Sequence, residues 1–312
     1  MPYFDSHCHL QFKAYDENRD EVIGRCLERG MQMLTVGTQK DMSKAAVELA
    51  KTCRGQIYAS IGLHPIHLHP RYVDEKEGAF TSREEDFDYD FYKELAQDET
   101  VVAIGETGLD FYHIPEDIPR EEVIEKQKDV FLQHIKLAQE LNKAIVIHCR
   151  DAYKELADLL DNEIPLLCKE GPGEVSKKAN LKSKIGNRKL KGTVHCFTGN
   201  EEEVERLIKR GLLVGFTGVI TFPPRKSNPE AQERLLEAVR RVPLDQLLIE
   251  TDAPYLAPAE YRGKRCEPWM VEEVAKKVAE LKETDVQTIM QVTSENGHRL
   301  FGIDRNPDTR HG

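Results

Sequence analysis

Ala144-Ile145-Val146-Ile147-His148-Cys149-Arg150 is a short apolar run, rich in β-branched side chains, that ends on a histidine. It is too short for a core helix, and its composition predicts a buried β-strand over Ala144–Ile147. The segment before it reads differently. Phe131, Ile135 and Ala138 to Leu141 recur at helical spacing, whereas Lys128, Gln133, Lys136 and Gln139 lie largely off that stripe. A helix over Arg120–Leu141 with one buried stripe is therefore expected to precede the strand.

The same alternation continues in both directions. Strands are expected near Tyr3–Asp5, Met33–Val36, Ile57–Ile61, Val101–Ile104, Thr193–His195, Leu213–Phe216 and Leu247–Ile249. Helices are expected at Glu17–Arg29, Met42–Lys51, Tyr89–Ala96, Tyr153–Leu160, Glu201–Arg210 and Glu230–Val242, with two more near Met270–Leu281 and Asp285–Leu300. Strands that alternate with helices are joined by helical crossovers and run parallel. The simplest closure of eight such units is a (β/α)₈ TIM barrel, an α/β fold that takes residues 1–312 as a single domain. No internal repeat at solenoid spacing is visible.

Two segments interrupt the pattern. Arg71 to Asp90 is acidic and reads as a long loop on the barrel rim. Residues 169–191 carry eight Lys or Arg against two Glu and almost no apolar periodicity, which predicts a flexible insert between the fifth and sixth strands. After a helix, that connection returns to the N-terminal face of a barrel. The insert is accordingly not expected to clamp substrate.

The formal net charge of −11 argues against bulk adhesion to nucleic acid. It leaves room for a nucleic-acid substrate, because a metal site is a local source of positive charge. The seven cysteines form no CxxC pair and read as reduced thiols. No apolar run approaches a membrane span, and the first residues lack a basic region followed by an apolar stretch. The expectation is a cytoplasmic protein without a membrane association or an obligate protein partner.

Polar residues gather at the ends of the expected strands. In Asp5-Ser6-His7-Cys8-His9, strand alternation puts His7 and His9 on one face, where both imidazoles can chelate one ion. Glu106 follows the fourth strand, His148 ends the fifth, His195 the sixth, and Asp252 closes the eighth. Barrel enzymes build their sites at these C-terminal ends. An isolated charge beside a buried strand is costly, and a metal ion pairs it. His7, His9, Glu106, His148, His195 and Asp252 are thus the expected ligands of two divalent metal ions. Cys8, Cys149 and Cys196 neighbour three of the histidines, but alternation turns each toward the opposite face. His64 ends the third strand and is a candidate for substrate contact. Glu250 shares a face with Asp252 and is a candidate to orient a ligating histidine. His67, His69, His113, His134, His298 and His311 read as loop, helix or tail residues without a role.

With these residues in view, the sequence resembles the TatD family of metal-dependent deoxyribonucleases, within the amidohydrolase-like metal-hydrolase superfamily. The matching stretches are Phe4-Asp5-Ser6-His7-Cys8-His9-Leu10, Gly62-Leu63-His64-Pro65, Ile104-Gly105-Glu106-Thr107-Gly108-Leu109-Asp110, His148-Cys149-Arg150-Asp151-Ala152, His195-Cys196-Phe197-Thr198-Gly199 and Ile249-Glu250-Thr251-Asp252-Ala253-Pro254. They span nearly the whole chain. The resemblance implies a TIM barrel that hydrolyses DNA phosphodiesters as a metal-dependent DNase, expected to be an exonuclease. It implies one metal on His7, His9 and Asp252, a second on His148 and His195, Glu106 bridging both, and Asp252 as general base. Similar proteins carry a basic turn after the last strand, here Tyr261-Arg262-Gly263-Lys264-Arg265-Cys266-Glu267-Pro268, in which Cys266 stands where the family usually has Asn.

The chemistry agrees with that implication. A phosphodiester is anionic and repels hydroxide, and two metals stabilise both the attacking and the leaving oxygen of an in-line displacement. Asp252, Glu106 and His64 are the catalytic candidates. Arg150, Arg262, Lys264 and Arg265 are candidates to hold phosphate, and Tyr255 or Phe111 to stack on a base. Histidines with carboxylates accept Mg²⁺, Mn²⁺, Zn²⁺ or Co²⁺, and the resemblance favours Mg²⁺. Two other readings fit the same scaffold: a hydrolase of ester or amide bonds, such as an aminoacyl-tRNA, and a non-catalytic scaffold in DNA repair or cell death.

Overall fold

The structure, a computed structural model, describes residues 3–69, 71–73, 80–82, 84–164 and 190–303. Strands β1 (Tyr3–Cys8), β2 (Met31–Val36), β3 (Ile57–Ile61), β4 (Val101–Asp110), β5 (Ala144–Arg150), β6 (Gly192–Val194), β7 (Leu213–Phe216) and β8 (Leu247–Ile249) form one eight-stranded sheet in chain order. Every neighbouring pair is parallel. Closure between β1 and the segment after β8 comes from an isolated bridge, Cys8 to Ala253. Asp252 N–H donates to the His7 carbonyl at 2.9 Å and His9 N–H to the Ala253 carbonyl at 2.7 Å. The expected barrel is present, nearly closed, with His7, His9 and Asp252 at its seam.

Around it run α1 (Arg19–Glu28), α2 (Lys40–Thr52), α3 (Tyr89–Leu95), α4 (Arg120–Glu140), α5 (Tyr153–Glu163), α6 (Glu201–Lys209), α7 (Pro229–Arg241), α8 (Val271–Leu281) and α9 (Val286–Phe301). The expected stripe of α4 is buried at Phe131, Ile135 and Ala138. The core divides in two. Alternate strand residues such as Met33, Ile57, Ile145, Ile147 and Val214 pack outward on the helices. Phe4, Leu34, Val36, Ala103, Val146 and Leu248 belong to a separate cluster that Leu300, Phe301 and Ile303 complete from the end of α9. Phe4 is ringed by Tyr58, His298 and Phe301 at centroid distances of 5.8 to 6.5 Å. The C-terminus of α9 therefore plugs the N-terminal mouth of the barrel, which leaves the opposite mouth for chemistry. Each fully buried Phe or Leu here contributes roughly 1.5–3 kcal/mol.

Two local expectations change. The fourth strand does not stop at Ile104: it runs to Asp110, so Glu106 lies within it. Gly105 and Gly108 both allow close backbone approach to β5. A Cβ at Gly108 would lie 2.0 Å from the His148 carbonyl oxygen. The segment from Arg71 carries a short antiparallel pair, Arg71–Val73 with Phe80–Ser82, rather than loop alone. Most of the 169–191 insert lies outside the described residues. Among the described residues, no helix is long and apolar enough to cross a membrane.

Candidate metal centre

The C-terminal mouth gathers the expected ligands. Alternation in β1 turns His7 and His9 to one side, and their Nε2 atoms stand 3.3 Å apart. Glu106 projects from β4 into the middle of the group. Its Oε2 lies 3.4 Å from His7 Nε2 and 4.0 Å from His9 Nε2. Its Oε1 lies 2.9 Å from His148 Nδ1 and 3.5 Å from His195 Nε2. Asp252 Oδ1 is 3.3 Å from His9 Nε2, 3.8 Å from His7 Nε2 and 4.0 Å from His195 Nε2. Asp252 takes φ +60°, a left-handed conformation that Asp tolerates better than most residues. The hydrogen bond from its N–H to the His7 carbonyl holds it there.

Most of these imidazoles are braced from behind. His9 Nδ1–H donates to the Val36 carbonyl at 2.7 Å. His195 Nδ1–H donates to Glu250 at 3.0 Å, as expected for Glu250. His148 Nε2–H donates to Asp110 at 3.2 Å. Each brace aims the other ring nitrogen at the centre, where it offers its lone pair once a cation replaces any proton there. His7 stacks on His195 with centroids 3.6 Å apart, and its buried Nδ1 has no hydrogen-bond partner among the described residues.

His64 differs. Its Nδ1 accepts the Ile66 N–H at 3.1 Å, so the ring hydrogen sits on Nε2, 3.5 Å from Glu106 Oε1. His64, Glu106 and His148 are close enough for a metal cluster. The bond from Ile66 nevertheless makes His64 a donor into the site.

The electrostatics are those of a cation site. Burial alone would raise the Glu106 and Asp252 carboxyls, but the surrounding histidines hold both below the usual carboxylate range. Burial opposes charge on His148, yet Asp110 and Glu106 push it up to about 9. Burial also opposes charge on His195, yet Glu250 and Glu106 push it up to about 10. Two imidazole nitrogens 3.3 Å apart beside two ionised carboxylates form a donor set of histidine nitrogens and carboxylate oxygens that fits divalent metals. Three of the close groupings, His7–His9–Asp252, His7–His195–Glu250 and His64–Glu106–His148, share this chemistry.

Some residues stand where the sequence did not place them. Cys8 and Cys149 are buried in the strand–helix core, as alternation predicts. Cys196 is not turned away. Strand β6 ends at Val194, Cys196 takes φ +46°, and its thiol groups with His195 and Asp252. Alternation does not extend beyond a strand end. Phe111 is buried with Arg120 over its ring, so it offers no stacking face to substrate. Tyr255 is half-buried, 6.4 Å from the His9 ring. Arg150 lies over the ring of Tyr112, at 3.9 Å from its centroid. Arg262 and Lys264 are exposed, each over an aromatic ring. Arg265 is engaged in bracing: it donates to the Ala14 carbonyl and to Asn18, over Tyr15. Cys266 is fully buried.

Asp110 and His113 were missed. Asp110 shares the face of Glu106, four residues earlier, and ends its strand as the ligands do, which is the signal that marks it. His113, far from idle, donates from Nδ1 to Asp110 at 2.7 Å and from its backbone N–H at 2.8 Å. Ser6 donates to Glu250 at 3.1 Å.

The family described as TatD related DNase matches residues 4–302. The chain belongs to the TatD family. Among TatD-family relatives, the metal-dependent hydrolase YabD of Bacillus subtilis (strain 168) is 36% identical over 304 residues, covering 96% of this chain and 99% of its own. The 3'-5' ssDNA/RNA exonuclease TatD of Yersinia pseudotuberculosis serotype O:3 is 32% identical, covering 96% of this chain and 99% of its own. The crystal structure of YjjV, a TatD homologue from Escherichia coli K12, superposes with a TM-score of 0.74 over 97% of this chain and 98% of its own, at 23% identity. That last likeness carries the TatD barrel fold. Membership makes this chain a metal-dependent hydrolase.

Proposed function

We propose that the chain hydrolyses DNA phosphodiester bonds as an exonuclease, using two divalent metal ions, Mg²⁺ first among them. His7, His9 and Asp252 would hold one ion and His148 and His195 the other, with Glu106 shared between them. The observation that carries this reading is the position of Glu106, whose two oxygens face His7 and His9 on one side and His148 and His195 on the other. When bound, the ions offset the charge that builds on the entering and leaving oxygens of a phosphoryl displacement.

The residues supply the rest. Among the six proposed ligands, Asp252 and His148 open most to solvent, with side chains 16% and 15% exposed. Asp252 is held ionised, so it accepts a proton from the water that attacks phosphorus. The new P–O bond forms as the bond to the leaving nucleotide oxygen breaks, and that oxygen takes its proton from solvent. His64 Nε2–H is a donor for a non-bridging phosphate oxygen. Arg150, at the end of β5, is a cation for the adjoining phosphate. The name of the Yersinia relative supports a nucleic-acid substrate.

The test is digestion of end-labelled single- and double-stranded DNA across a metal series, beside a panel of small esters and amides. Release of nucleotides from DNA with Mg²⁺ or Mn²⁺ supports the proposal. Turnover of the panel without cleavage of DNA would move the substrate to another ester or amide.

A further inference from the structure

Tyr112 stands two residues beyond Asp110, the carboxylate that orients His148. It is 59% exposed, and among the described residues the one other large apolar side chain left open is Leu244, at 37%. Leu244 precedes β8 and so lies toward the plugged mouth. Tyr112 follows β4 and lies at the open one. Exposure of one ring is ordinary in itself; the position of this one at the open mouth and its fixed geometry are what set it apart.

The ring is also held in place. On one side of it, Phe111 N–H donates to the Arg150 carbonyl at 2.9 Å and its side chain is buried. On the other, His113 N–H donates to Asp110 at 2.8 Å, and the His113 ring meets Tyr112 edge-on at 4.8 Å. The Arg150 guanidinium lies 3.9 Å from the ring centroid. A fixed flat ring with a cation laid against it matches a nucleotide: a π-face for the base and planar donors for the phosphate.

We propose that Tyr112 is a base-stacking subsite for a nucleotide flanking the cleaved bond, with Arg150 holding its phosphate. The proposal rests on the nuclease reading above. A base that stacks on protein must first leave its own strand stack, so the subsite favours single-stranded or frayed ends.

The experiment compares wild type, Tyr112→Phe and Tyr112→Leu on a single-stranded oligonucleotide. The same oligonucleotide with abasic residues flanking the cleaved bond is the second substrate. The expected result is that Tyr112→Leu lowers kcat/KM about tenfold on the normal strand while Tyr112→Phe stays within about twofold. On the abasic strand wild type and Tyr112→Leu should be equally slow, because the base that the ring would meet is gone. Equal losses for Tyr112→Leu on both strands, or no loss on either, would overturn the subsite while leaving the nuclease reading intact. Failure of metal-loaded wild type to cleave any strand overturns the nuclease reading itself, and the subsite with it.

Discussion

Glu250 Oε1 lies 3.0 Å from His195 Nδ1, on a carboxylate with no solvent exposure. The same oxygen accepts the Cys196 N–H at 2.5 Å, and the other accepts Ser6 Oγ–H at 3.1 Å. The carboxylate fits because β7 has no side chain beneath it: a Cβ at Gly215 would come within 2.3 Å of Glu250 Oε2. His195 is thus aimed by three strands, β1, β7 and the end of β8.

Gly215→Ala should therefore act like Glu250→Gln, although it touches no proposed ligand. Both should weaken metal binding by about 10–100-fold, the usual effect of losing a carboxylate that orients a ligating histidine. Titration calorimetry on folded variants checks this. Wild-type affinity in Gly215→Ala would show that Glu250 can shift without consequence.

Asp110→Asn tests the corresponding brace on His148. It keeps an oxygen for His113 but loses the charge that favours the His148 Nε2–H tautomer. Metal affinity should fall about 10–100-fold, and in a His148→Ala background Asp110→Asn should add little. Additive losses in the double variant would show that Asp110 does not act through His148.

These braces show what the sequence could carry. The strand ends were legible because runs such as Ile145-Val146-Ile147 and Leu247-Leu248-Ile249 stop abruptly at polar residues, and a barrel puts all those stops at one mouth. Glu250 was legible from its offset of two from Asp252. Asp110 was not, because Gly105 and Gly108 broke the apolar pattern before it. Tyr112 and Cys196 lie just past strand ends, where alternation lapses. Which of Phe111 and Tyr112 turns outward is settled by the backbone bonds of Phe111 and His113. The bracing role of Arg265 depends on Ala14 and Asn18, about 250 positions away in sequence.

His134 supports the site from α4. Its Nε2 accepts the Leu63 N–H at 3.0 Å, one residue before His64, and its Nδ1–H donates to the Val130 carbonyl at 2.8 Å. Burial pushes its pKa from 6.5 down to about 3. The unfolded chain therefore binds this proton first as pH falls. The stability it supports is fully present above about 6.5 and declines toward about 3, at no more than roughly 1.4 kcal/mol per pH unit. Urea unfolding between pH 7.5 and 4.5 should show a shallower decline in His134→Gln than in wild type. Parallel slopes would mean that His134 is charged in the fold.

Asp252→Asn should fold normally and lose more than about a hundredfold in kcat, since an amide neither accepts the proton nor ligates as a carboxylate does. Near-wild-type kcat on DNA in the folded variant would remove Asp252 from the role of base.

The most direct test of the central claim couples metal counting to cleavage in one titration. Metal-stripped protein is given Mn²⁺ stepwise, and bound ions per chain are measured alongside cleavage of an end-labelled single strand. No cleavage is expected without metal, and activity should saturate as the second ion binds. Glu106→Ala should bind both ions more weakly. Cleavage by the fully stripped protein, or full activity with one ion per chain, would contradict the claim.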